Sequence, residues 1–252
     1  VCGIKFAKIF LESLGINITS YQEEGKKVKK GDLVLELRGK SKVILSSERI
    51  VLNLIMRLSG IATQTHKFVK KVEQSGQDII IAATRKTTPG FRYFEKYAVF
   101  IGGGDPHRWS LSDTILIKEN HLKLFEENAI KEISKRIKNK VSFSKKIEIE
   151  VENLDELKSV LSLSPDIIML DNFKIKDIQE AIKIVQQTSN HIKPLIEVSG
   201  GISEKNIDNY IIPGVNIISI GALTHSVTSM DFSLKIKDIL NSEPNGGNFS
   251  DN

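Results

Sequence analysis

From residue 78 to residue 220 the sequence alternates short β-branched runs with amphipathic stretches, and this alternation restricts the fold more than any other feature. The runs are DIIIAAT (78–84), TILI (114–117), IEIEV (147–151), DIIML (166–170), LIEV (195–198) and VNIISI (215–220). Helical periodicity falls between most of them, notably at Leu154–Leu161, Ile175–Gln187 and 204–212. Strands separated by helices point to parallel pairing, because each crossover returns the chain to the same end of the sheet. The number of units, without the glycine fingerprint of a dinucleotide-binding open sheet, favours a barrel.

The part before the repeats reads differently. Residues 1–45 look like a small α/β unit, with turn signals at Gly25, Gly31 and Gly39 and strand alternation through Leu33, Leu35 and Leu37. From Glu48 to about Val72, apolar residues at Ile50, Leu54, Ile55, Leu58 and Ile61 recur at helical spacing. Ser46 or Ser47 is placed to cap this helix, and Gly60 is expected to interrupt or kink it. The tail SEPNGGNFSDN (242–252) is polar and is expected to be disordered.

A chain of 252 residues can bury a sizeable core, and no apolar run reaches the roughly 20 residues of a membrane span. A secretory signal is not visible in the first 15 residues. The lone Cys2 excludes an internal disulfide and a cysteine zinc site, so a reduced, cytoplasmic setting is expected. The chain begins at Val1 rather than Met, which leaves room for a preceding segment. A formal charge of +5 raises nucleic-acid binding as one reading. The lysines are scattered, however, and no basic repeat is interleaved with aromatics. A small anionic substrate accounts for the charge better than nucleic acid or a membrane.

The segment TRKTTPGFRYFEKYAVFIGGGDPHR (84–108) carries that argument. It holds Arg85, Lys86, Arg92, Lys96, His107 and Arg108 against only Glu95 and Asp105. In a βα barrel the site lies at the C-terminal strand ends. Reading those ends in order gives Arg85 and Lys86, then Lys118, Asn120 and His121, then the acids of IEIEVE, then Asp171 and Asn172, then Ser199, Gly200 and Gly201, and last Gly221. With a strand period of two, Glu148, Glu150 and Glu152 face away from Ile147, Ile149 and Val151, which aims three carboxylates into the barrel. Carboxylates on adjacent strands, with Asp171 beside them and cations opposite, suit an oxygen-liganded Mg²⁺ that also touches substrate phosphates. Glycines after late strands allow backbone N–H groups to approach a phosphate. Together these features imply a phosphorylated substrate and an anionic co-substrate. Arg92 and Lys96 are placed outside the core site, as helix-surface or ion-pair residues holding the loop. His66 and His191 are read as surface histidines.

The motifs ERIVLNLIMRLSGIAT, TRKTTPG, EKYAV, GGGDPHR, LIKENH, IEIEVEN, IMLDN, EVSGGI and IGALTHS, in this order from about residue 1 to 240, closely resemble the quinolinate phosphoribosyltransferase family. The resemblance implies an α/β fold with a small N-terminal α/β sandwich domain (residues 1–62, joined by a C-terminal segment at about 232–241). A TIM-like α/β barrel, complete or incomplete, follows over 63–231. It implies a cytoplasmic homodimer, or a higher oligomer of dimers, with sites completed across subunits. The implied reaction joins quinolinate to phosphoribosyl pyrophosphate with Mg²⁺, giving nicotinate mononucleotide, pyrophosphate and CO₂ in de novo NAD biosynthesis. Matched to the family's positions, Arg85, Lys86, His107 and Arg108 surround the pyridine dicarboxylate, joined by Arg49 from the partner subunit. Lys118 lies near the phosphoribosyl moiety, Glu150 and Asp171 hold Mg²⁺, and Ser199, Gly200, Gly201, Gly221 and His225 bind the ribose 5-phosphate. Catalysis is then assigned to Lys86, Lys118, Glu150 and Asp171 through positioning and electrostatics, without a covalent nucleophile.

Asp105-Pro106 stands where most of the family has another residue followed by Asn, and Phe91 replaces a usual Leu. Three rival readings follow: a relative of the family associated with molybdate-transport genes, a phosphoribosyltransferase acting on nicotinate, and a non-catalytic barrel that binds a partner.

Overall fold

A computed structural model of the chain describes residues 1–118, 120, 121, 137, 139–188 and 193–239. The first unit is built from α1 (Ile4–Ser13), an antiparallel pair β1 (Asn17–Tyr21) and β2 (Leu35–Arg38), and the start of α2 (Ser41–Ser75). Ile4, Ala7 and Leu11 lie on one face of α1 and pack with Ile16 and with Val51 and Ile55 of α2. Phe232, from the segment after the barrel, packs on the same cluster, and Lys237 lies 3.8 Å from Glu36.

Helix α2 is longer than its apolar period suggests. Its 35 residues run straight through Gly60. The glycine does not interrupt it and allows close packing, since a Cβ there would collide with the Thr228 carbonyl oxygen and crowd Ser229. Ser46 and Ser47 lie inside the helix, where both hydroxyls donate back to the Val43 carbonyl, so neither is the cap; the helix begins after Lys40. No helix among the described residues is long and apolar enough to cross a membrane.

The second unit contains β3 (Ile80–Ala82), α3 (Arg92–Ile101), β4 (Ile115–Ile117), β5 (Ile147–Val151), α4 (Leu154–Leu161), β6 (Ile167–Asp171), α5 (Ile175–Gln187), β7 (Leu195–Ser199), β8 (Ile217–Ser219) and the short α6 (Ala222–His225). All six strands are parallel, in the order β3-β8-β7-β6-β5-β4. The stretch at 204–212, expected to be helical, forms only a 3-10 turn at Ile207–Asn209. There the Asn206 side chain donates to the Gly201 carbonyl and accepts from Ser203, fixing a turn that Pro213 and Gly214 then close. The tail from residue 240 and His191 lie outside the described residues.

The sheet is rolled into an incomplete barrel. Asp105 pairs with the free edge of β3: its N–H donates to the Ile81 carbonyl at 2.8 Å and its own carbonyl accepts from Ala83 at 2.9 Å. His107, two residues on, places its ring 3.6 Å from Glu148 of β5. At about 4.8 Å per strand, a flat sheet would hold β3 and β5 roughly 20 Å apart. Only curvature brings them together. The Asp105 segment therefore occupies the seam between β3 and β4, and Arg108 reaches the Thr114 carbonyl at the start of β4.

Replacing Gly60 with Ala improves intrinsic helix propensity by about 1 kcal/mol. Overpacking against the backbone at Thr228 is nevertheless expected to dominate, destabilising the protein by roughly 1–3 kcal/mol. Urea denaturation of Gly60→Ala checks this, and an unchanged or higher midpoint would contradict the close-packing account.

Candidate anion-binding site at the barrel rim

Arg85 and Lys86 follow β3, and the Asp105 segment brings His107 and Arg108 beside them. His107 has φ of 53°, a left-handed conformation that a histidine adopts only when its surroundings impose it. Two contacts impose it here. The Asp105 carboxylate accepts the His107 N–H at 2.6 Å, and the Lys96 ammonium donates to the Pro106 carbonyl. Of the two expectations for Lys96, a helix-surface position is excluded because it is wholly buried, while its bond to Pro106 does hold the loop, without an ion pair. Arg92 donates to Thr87 and to the Trp109 carbonyl, both at 3.2 Å, so it ties the two cationic loops together.

Opposite the cations stands a row of acids. Glu150 of β5 registers with Met169 of β6, which registers with Glu197 of β7, and Glu148 sits one inward step below Glu150. All three acids are buried. Glu152 lies past the end of β5 and is exposed, so two carboxylates of IEIEVE face inward, not three. The carboxylate that joins them is Glu197, which the sequence reading missed. Its signal was present in LIEV, where one acid interrupts an otherwise apolar strand, as in IEIEV.

His107 is wedged between these acids, with Nε2 3.3 Å from Glu197 and 3.6 Å from Glu148. Burial opposes its protonation, but the hydrogen bond and charge of Glu197, with the charge of Glu148, outweigh burial and raise its pKa above the ordinary value. Burial, reinforced by Glu197, pushes the Glu148 carboxyl up to about 8, and neither of its oxygens has a hydrogen-bond partner among the described residues. Glu197 is therefore the acid that governs His107. Arg108 is lowered by burial and by neighbouring Arg85.

Lys118, after β4, pairs with Glu150 at 2.5 Å. His121 is structural: its Nδ1 accepts the Lys118 N–H at 2.9 Å and closes the turn. Asp171 ends β6, half-buried, and accepts from Asn172 at 2.7 Å. Ser199 registers with Asp171. Gly200 has φ of 105°, and a Cβ on it would collide with the Asn172 side chain, so only glycine fits. Gly221 sits in a pinch: a Cβ there would lie 3.1 Å from both His225 Nε2 and the Lys86 side chain. Thr224 locks the same corner by donating to the Lys86 carbonyl at 2.7 Å.

One ion pair, between half-buried Arg57 and buried Glu95, joins these parts. Arg57 of α2 donates to Glu95 of α3, to Thr88 beside the first loop and to the Thr224 carbonyl. Glu95 also accepts from the Thr88 N–H and hydroxyl. Arg49 stands apart, exposed on α2 and without a hydrogen bond or ion pair among the described residues. His66 is exposed, and Cys2 is buried, its N–H donating to Ser59.

Fold and rim together are those of an incomplete α/β barrel that sets a cluster of half-buried cations beside buried acids. Two family profiles match the chain: "Quinolinate phosphoribosyl transferase, N-terminal domain" over residues 1–59 and "Quinolinate phosphoribosyl transferase, C-terminal domain" over residues 61–235. The chain belongs to the quinolinate phosphoribosyl transferase family. It is 48% identical over 238 residues to a probable nicotinate-nucleotide pyrophosphorylase [carboxylating] of Methanocaldococcus jannaschii, covering 94% of this chain and 82% of that relative. It is 41% identical over 236 residues to one of Archaeoglobus fulgidus, covering 94% and 90%. Among solved structures, a NadC deletion mutant superposes with a TM-score of 0.85 at 34% identity, covering 95% of this chain and 83% of that one.

The raised Glu148 carboxyl makes a stability prediction. Between the ordinary value of 4.5 and about 8, the folded state binds a proton that the unfolded state has released, so stability falls as pH rises through this window. His107 acts in the same direction, its contribution being lost as pH rises through its raised pKa. Glu148→Gln is expected to shrink the loss of stability between about pH 5 and about pH 8, read from urea midpoints. An undiminished loss would exclude Glu148 as its source.

Proposed function

We propose that the chain transfers the phosphoribosyl group of phosphoribosyl pyrophosphate to quinolinate and decarboxylates the adduct, yielding nicotinate mononucleotide, pyrophosphate and CO₂ for NAD synthesis. The observation that carries this reading is the division of labour between neighbours at the end of β3. Arg85 belongs to the cationic cluster with His107 and Arg108, while the next residue, Lys86, reaches the glycine corner at Gly221 and His225. One strand end thus serves a dicarboxylate on one side and a sugar phosphate on the other.

Arg85 and Arg108 pair with the adjacent carboxylates of quinolinate, since guanidinium forks match carboxylates better than ammonium does. His107, whose protonation Glu197 favours, adds a further donor. The backbone around Ser199, Gly200, Gly201 and Gly221, with His225, holds the 5-phosphate. With both substrates fixed, the pyridine nitrogen lone pair attacks C1 of the ribose and the bond from C1 to the pyrophosphate oxygen breaks. Lys86 and Lys118 stabilise the charge that develops on the departing pyrophosphate. The ring nitrogen, now quaternary, accepts the electron pair as the C2 carboxylate leaves as CO₂, and C2 takes up a proton. A ligand with one carboxylate would leave part of the half-buried cluster unpaired, which disfavours nicotinate as substrate.

Glu150 and Asp171 suit Mg²⁺: they are hard oxygen donors on adjacent strands, and phosphate oxygens would complete the set. Bound there, Mg²⁺ would neutralise phosphate charge. Lys118 holds Glu150 in place when no cation does. Arg49, exposed on α2, fits a role in a partner subunit's site, which makes the working unit a homodimer. A cytoplasmic setting accords with the pathway.

Quinolinate, phosphoribosyl pyrophosphate and Mg²⁺ are expected to give nicotinate mononucleotide and CO₂, with nicotinate inert under the same conditions. Turnover of nicotinate alone, or of neither by folded protein, sinks the proposal. Mixing inactive Arg49→Ala with inactive Lys118→Ala is expected to restore activity, because one site of each heterodimer carries both native residues. No recovery would place Arg49 within its own subunit's site or outside the chemistry.

A further inference from the structure

Lys96 is the only buried lysine or arginine among the described residues, with a relative exposure of 0%. The acid beside it in sequence does not neutralise it, because Glu95 is engaged by Arg57 and Thr88. Asp105 is the acid that acts on Lys96, but it lies beyond ion-pair distance and one of its oxygens holds the His107 N–H. Against this single acid stand Arg92 on the same helix, Arg85 after β3 and Arg108 on the seam, with His107 also in range. A buried ammonium among like charges costs stability, and an apolar side chain of similar length would suit the fold better. The hydrogen bond to Pro106 alone could be made by a neutral donor. The charge calls for an anion that arrives from outside.

We propose that Lys96 is a positioning and specificity-determining residue of the dicarboxylate clamp. It pins the Pro106 carbonyl so that His107 and Arg108 face the barrel interior, and it keeps behind Arg85 and Arg108 a positive charge whose counter-charge is the second carboxylate of the ligand. This rests on the reading of the clamp given above. Lys96 does not touch the ligand; it acts through the His107–Arg108 turn and through the field at the clamp. Burial first, then Arg92, with Arg85 and Arg108 adding to them and Asp105 opposing, lowers its pKa to about 8. Near that pH a bound dianion favours the charged form, so quinolinate binding draws a proton onto Lys96.

The test compares the full chain with Lys96→Met. The variant is expected to melt at or above the wild-type temperature, to raise the quinolinate KM by about tenfold or more, and to leave the phosphoribosyl pyrophosphate KM within about twofold. Calorimetry of quinolinate binding near pH 8, in buffers of different ionisation enthalpy, is expected to show greater proton uptake by the wild type than by Lys96→Met, which keeps only the share of Glu148 and His107. An unchanged quinolinate KM in folded Lys96→Met, or equal proton uptake in both proteins, overturns the proposal. Should Lys96→Met fail to fold, Lys96→Arg keeps the charge without titrating, and uptake undiminished in that variant overturns the proposal as well. With neither variant folded, wild-type binding without proton uptake near pH 8 decides against it. Wild-type turnover of quinolinate is the control. Its absence sinks the reading of the reaction, whereas turnover with an indifferent Lys96→Met sinks this inference alone.

Discussion

The seating of Asp105 on the free edge of β3 is the contact on which the rest of the site depends. Two backbone hydrogen bonds hold it there, and they close part of the gap that a six-stranded sheet leaves between β3 and β4. Everything after it is placed by that seat. Pro106 turns its carbonyl to Lys96, His107 takes a left-handed conformation and enters the barrel, and Arg108 reaches β4. Three glycines precede Asp105, and two of them are needed for close approach: a Cβ on Gly102 or Gly104 would meet Thr65 on α2. The long helix therefore sets the depth at which the seam segment sits.

Buried charge is arranged in two ways that serve different ends. Arg57 and Glu95 satisfy each other and bind α2, α3, the loop after β3 and the corner at Thr224 into one unit. That network has its partners already. Glu148, Glu197 and Lys96 are different, since each is buried with fewer partners than its chemistry can use. Incomplete pairing of this kind costs stability and is kept where a ligand completes it. Glu197 favours protonation of the histidine from within the barrel, and the lysine adds positive charge from behind. The clamp lies between them.

Much of the barrel was legible because β5, β6 and β7 carry simple patterns. IEIEV and LIEV place β-branched residues on one face and acids on the other, and the observed strands fall within a residue or two of the runs. The glycine corner was legible too, since positions that require left-handed backbone or close approach leave glycine as a visible mark. The misreadings share a cause. Gly60 suggests an interruption or kink, yet the helix continues through it and it accommodates a segment 168 residues later, while the alternation that predicts an inward Glu152 stops with the strand one residue before it. Local sequence leaves Lys96 open as a helix-surface or a loop-holding ion-pair residue, because helical spacing cannot say which neighbour covers a given face.

The sequence by itself determined the parallel βα order, the family and the residue types gathered at the strand ends, because periodicity, turn chemistry and motif are local properties of the chain. It did not determine which charges neutralise one another. That was decided by the curvature of the sheet and by the seam, which carry His107 to Glu197 across 90 residues and Arg57 to Glu95 across 38. The same geometry leaves Lys96 among cations rather than beside its neighbour Glu95. Electrostatic energy depends on distance through space and on burial, and neither exists until the barrel has closed around them.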